Sequence, residues 1–147
     1  MNWHHLFLGF SGRTSKRDFW IGFAVLFAAG FAASLVPLVG ALASLALLYP
    51  WTALVTKRLH DFGRSGWLVL IPTLPAALSG TLAVYGALAM SNAATLGSAL
   101  AVAGFALLVS TIAMLVGLAF LLWVGLSAGD TGPNAYGEVP ADTPLTV

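Results

Sequence analysis

The six basic side chains fall in two short clusters: Arg13, Lys16 and Arg17, then Lys57, Arg58 and Arg64. Residues 19–56 and 65–129 carry no ionised side chain at all. Uncharged stretches of that extent cannot supply the polar surface of a soluble domain. Soluble domains are roughly 25% charged; here 7% of residues are charged and 59% are hydrophobic. The chain reads as an all-α integral membrane protein. Lys and Arg beside membrane spans mark the cytoplasmic side, so two basic clusters separated by a helical hairpin lie at one face.

The pattern predicts four spans in a single domain covering residues 1–147. Residues 1–18 form an interfacial and basic segment, residues 19–126 hold the spans, and residues 127–147 form a cytoplasmic tail. Trp3, Leu6, Phe7 and Phe10 follow the spacing of one helix face, as in a short helix lying in the membrane interface; an irregular tail with a few aromatics is the equal alternative. The first span runs from Phe19 to Val36. Ser15 and Asp18 fit a capping pattern that starts this helix at the basic cluster. Pro37–Gly40 reads as a short connection, Ala41–Thr56 as the second span with Pro50 inside it, and Lys57–Gly66 as a charged loop. Trp67–Met90 reads as the third span, its start bent or broken by Pro72 and Pro75. Ser91–Ser98 reads as an outer turn and Ala99–Val124 as the fourth span. Four crossings leave both termini cytoplasmic, and the prolines of the tail keep it non-helical.

Lys57–Trp67 is the densest run of polar groups. Lys57 and Arg58 read as topology anchors whose stems snorkel to the headgroups, with Gly63 supplying a turn. The alternative is anion binding, because guanidinium forks match phosphate geometry. Lys16 and Arg17 in the first turn of a helix oppose its dipole, so another interaction must offset them. No i, i+4 pairing of His4, His5, His60 and Asp61 gives a metal site. There is no nucleophile elbow, oxyanion motif or nucleotide-binding glycine pattern. With no Cys there is no disulfide or thiolate metal site, and the net charge of +1 gives no reason to expect nucleic acid. No cofactor and no catalytic residue is expected. The few hydroxyls inside the spans argue against a proton relay through one protomer.

Three segments resemble one family. Phe10-Ser11-Gly12-Arg13-Thr14-Ser15-Lys16-Arg17-Asp18-Phe19-Trp20 is similar to the opening motif of the DUF805 family of small bacterial inner-membrane proteins. Pro50, Lys57-Arg58-Leu59-His60-Asp61 and Arg64-Ser65-Gly66-Trp67 resemble its central block. Gly132-Pro133-Asn134-Ala135-Tyr136-Gly137-Glu138-Val139-Pro140 resembles its closing motif. Lys16 and Lys57 stand where the family usually has Arg, and the stretch after Trp67 holds two spans where short members have about one. The resemblance implies a bacterial inner-membrane location and brings no activity with it.

In a four-span arrangement the three motifs share the cytoplasmic face and form one polar cluster. Arg13, Arg17, Arg58, His60, Asp61, Arg64, Trp67, Asn134 and Tyr136 are its candidate residues. The expected function is binding of an anionic lipid headgroup or small anion, with membrane lipids as partners. The alternatives are a structural or assembly role with homo-oligomer formation, or a channel or transporter subunit whose path runs between protomers.

Overall fold

The computed structural model describes residues 3–89 and 96–140. Five α-helices follow in order: α1 (Trp3–Leu8), α2 (Lys16–Ser34), α3 (Pro37–Asp61), α4 (Leu70–Ala89) and α5 (Leu96–Leu126). A 3-10 turn, Gly66–Val69, leads into α4. Among the described residues, three helices are long and apolar enough to cross a membrane: Lys16–Ser34, Gly66–Ala89 and Gly97–Leu126. The stretch expected as the second span lies within α3, which is not among these three.

The helix boundaries follow local chemistry. Ser15 caps α2 with its hydroxyl, accepting from the Asp18 N–H at 3.2 Å. Pro37 was expected in a connection and instead opens α3, because its missing N–H and fixed φ suit a first helical position. Only Leu35 and Val36 separate α2 from α3. The charged loop expected from Lys57 begins later than the sequence suggests. Lys57 to Asp61 are the last residues of α3, and the polar side chains among them are bonded where they stand. The helix stops in a Schellman motif: Arg64 N–H reaches Leu59 O at 2.9 Å, Gly63 N–H reaches His60 O at 3.2 Å, and Gly63 sits at φ +69°. Pro72 is the third residue of α4, where an N–H has no helical acceptor, while Pro75 lies inside the helix. Met90 and most of the expected outer turn lie outside the described residues.

The chain divides into two units: Met1–Val69 with Trp123–Val147, and Leu70–Leu122. In the first, α2, α1 and the 3-10 turn all pack on α3. Its outer face is apolar, with Phe27, Phe31 and Leu45 about two-thirds exposed, whereas Lys57 and Arg58 are fully buried. Polar groups inside and apolar groups outside suit a lipid solvent. In the second unit, Gly86 of α4 faces Val102 of α5. Ala99, Ala106, Ala113 and Phe120 are buried every seventh residue along α5, a seam of mostly small residues that admits close helix approach.

The last turn of α5 meets α2 through Trp20. Its indole lies across Gly125, with Nε1 donating to Gly125 O at 3.1 Å. Gly125→Val is expected to lower stability in detergent by about 1–3 kcal/mol through overpacking. Gly117→Val, which meets nothing within 4 Å, should leave the thermal unfolding midpoint nearly unchanged.

Candidate functional site

A helix leaves its last carbonyls without an internal partner, and three helix ends converge here. At α1, Lys57 Nζ donates to His5 O and, at 2.7 Å, to Leu6 O, while Tyr49 Oη donates to Leu8 O at 2.9 Å. At α5, Ser127 N–H serves Trp123 O, Arg58 Nε serves Val124 O, Trp20 serves Gly125 O and Lys16 Nζ serves Leu126 O. At α3, Asn134 Nδ2 reaches His60 O at 2.9 Å, and Asp61 O accepts from Asp130 N–H at 2.7 Å and Arg13 Nη2 at 3.2 Å. Cations at a helix C-terminus are favoured by its dipole. Lys16, which opposes the dipole of α2, lies instead against the C-terminal carbonyl of α5.

At the centre, the Asp61 carboxylate bridges two guanidiniums. Arg13 Nε donates to Oδ1 at 3.1 Å and Arg58 Nη1 donates to Oδ2. All three side chains are essentially sealed from solvent. Arg13 completes its bonds on Gly132 O at 2.8 Å, Asp130 O at 2.7 Å and Gly137 O at 3.4 Å. Arg58 adds Thr14 O at 3.5 Å and Ser127 O. Every Arg13 N–H therefore has a protein acceptor. Gly129 lies directly against the Asp61 carboxylate, leaving no room for a Cβ.

Burial pushes Asp61 up from the usual carboxylate range, and the two guanidiniums pull it back. Burial lowers His60, opposed by the Gly12 carbonyl on its Nδ1 at 3.3 Å. The His60 ring stacks on Tyr136 at 3.8 Å between centroids. Burial also lowers Lys57 from 10.5 to about 8.

Of the residues singled out from sequence, Arg13, Arg58, His60, Asp61, Asn134 and Tyr136 are brought together. Arg17 and Arg64 are exposed, and their side chains have no acceptor among the described residues. Trp67 is 79% exposed. Lys57 does not snorkel to the headgroups: its ammonium is turned inward onto the C-terminal carbonyls of α1, where the helix dipole favours a cation. Asp130 was not foreseen as a site residue, yet it accepts from Asn134 Nδ2 at 2.7 Å. Among the described residues, no group of three or more His, Asp or Glu side chains could hold a metal ion.

Asp61→Leu is expected to cost about 3–5 kcal/mol, because two buried guanidiniums lose their counter-charge. Denaturation in detergent measures it. Lys57 sets a pH signature. Between about pH 8 and 10.5 the unfolded chain holds a proton at this side chain that the folded chain has lost. Its contribution therefore raises stability as pH climbs through that window. Lys57→Met should flatten the rise in a pH series of unfolding midpoints.

Two curated relatives match, both named "Uncharacterized protein YiiR", from Escherichia coli K12 and Escherichia coli O157:H7. Each is 39% identical over 83 residues, covering 51% of this chain and 57% of its own length. The chain thus spans little more than half of the curated relatives it matches. No solved structure matches it. The family model described as "Protein of unknown function (DUF805)" matches residues 7–138, which takes in both buried arginines, Asp61 and the tail that completes their bonds. The chain belongs to the DUF805 family.

Proposed function

We propose that this is a four-span bacterial inner-membrane protein with a structural and assembly role. In this reading the Ala41–Thr56 stretch of α3 is the fourth crossing and both termini are cytoplasmic. The Arg13–Asp61–Arg58 centre is a knot that holds helix ends in one arrangement and so fixes the surface offered to a partner or to copies of itself. The observation that carries the reading is the saturation of Arg13, whose guanidinium is spent on Asp61 and on backbone carbonyls. A site for an exchangeable anion keeps donors free in the absence of its ligand; Arg13 does not. The four-span topology is supported by where the helix ends meet. The start of α2, the end of α3 and the end of α5 are bonded to one another, as two hairpins returning to the same face require. The basic clusters lie at that face, as the cytoplasmic side of a membrane favours.

A second reading, anionic lipid headgroup binding, rests on two of the expected residues alone. Arg17 and Arg64 are the exposed guanidiniums, and juxtamembrane cations attract anionic lipid by about 1 kcal/mol each. Native mass spectrometry of protein released from lipid nanodiscs separates the two readings. Arg58→Ala is expected to lose stability and change oligomeric state, with no specific lipid lost. Arg64→Ala should keep both fold and oligomer. Loss of a discrete bound anion in Arg58→Ala, with the oligomer intact, would overturn the structural role.

A further inference from the structure

A cavity of about 460 Å³ lies beside the knot, walled by Phe10, Thr56, His60, Trp67, Val69 and Tyr136 among others. That is within the rough 300–1,000 Å³ range of small-molecule sites. None of Arg13, Arg58 and Asp61 lines it, so it is separate from the ionic centre. No Asp, Glu, Lys or Arg side chain lines it either.

The polar atoms it does contain are neutral and uneven in placement. Thr52, Thr56 and His60 recur every fourth residue of α3, so they form a stripe along one helix face that runs up one wall. Thr52 Oγ1 already donates to Leu48 O and Tyr49 O and can only accept. His60 Nδ1 lies 3.3 Å from the Gly12 carbonyl, which accepts only, so the hydrogen-bond pattern assigns the ring hydrogen to Nδ1. That leaves Nε2 as an acceptor on a ring that walls the cavity. Thr56 Oγ1 and Tyr136 Oη make no hydrogen bond to another described residue. Phe10, Trp67 and Val69 supply the apolar wall. Trp67 stands where the apolar stretch Gly66–Ala89 begins, the level at which Trp rings settle between lipid and water.

We propose that this cavity binds an uncharged single-chain amphiphile, a hydroxyl-headed acyl lipid of the monoacylglycerol type. The chain lies against Phe10, Trp67 and Val69, and a hydroxyl of the head donates to His60 Nε2. The volume suits one chain and a small head. The absence of any lining cation disfavours a phosphate-bearing head, whose charge would be left unpaired.

The test uses the full-length protein in phosphatidylcholine nanodiscs with a photoactivatable monoacylglycerol, the adducts being mapped by mass spectrometry. Adducts should concentrate on Phe10, residues 67–69 and Tyr136. Unlabelled monoacylglycerol should displace the probe and phosphatidylglycerol should not. His60→Phe keeps an aromatic face for Tyr136 but removes the acceptor, and should weaken labelling about three- to tenfold, the worth of one hydrogen bond. Thr52→Trp should fill the cavity and abolish the adducts. Labelling spread evenly along the apolar helices, equal displacement by phosphatidylglycerol, or full labelling of His60→Phe would each overturn the proposal. The displacement arm needs no variant, so it decides even if a substitution prevents folding.

Discussion

A helix that ends inside a protein must find donors for its last carbonyls, and lipid offers none. Three helices of this chain end at one place, and its rare polar side chains go to those ends. Lys57 serves α1, Lys16 and Arg58 serve α5, and Arg13 with Asn134 serves α3. This explains why a chain with only six basic residues keeps four of them within bonding distance of backbone carbonyls. It also explains the position of Asp61. Three helix C-termini carry partial negative charge, but two neighbouring guanidiniums still repel each other, and a carboxylate between them screens that repulsion.

The arrangement reverses the layout of a soluble protein. Phe27, Phe31, Leu45 and Trp67 face outward, and Lys57, Arg58 and Asp61 face inward. Exposed apolar side chains on every helix cost nothing in lipid, so they do not mark a binding surface there. What remains specific is the neutral cavity beside the ionic centre. The centre holds fixed charges matched within the protein, while the cavity presents acceptors and hydroxyls that are not. A structural role for the first and a ligand role for the second are compatible, since the knot fixes the C-terminal turn of α3 on which His60 sits.

The uncharged runs, the Ser15 cap and the turn at Gly63 were legible because each rests on local chemistry. Pro37 was misread because a proline signals the end of one helix and the start of the next equally well, and only two residues separate them. The charged segment at Lys57–Asp61 was misread as a loop. Its helical state depends on acceptors contributed by residues 5, 6, 124 and 127, which are remote in sequence. The names of the site residues were readable and their roles were not. Most partners of Arg13 and Arg58 are backbone carbonyls, and those belong to every residue type. The Thr52–Thr56–His60 stripe was available from spacing alone, yet hydroxyls within an apolar run carry little weight until a cavity is found beside them.

In this fold Arg13 and Asp61 act as one structural unit. A double-mutant cycle on Arg13→Gln and Asp61→Asn, read by chemical denaturation in a single detergent, tests it most directly. Residues in one buried network couple by about 0.5–3 kcal/mol, whereas independent sites add to within about 0.5 kcal/mol. Coupling in the upper half of that range is expected. Additive losses would contradict it, for then the two side chains would meet without depending on each other.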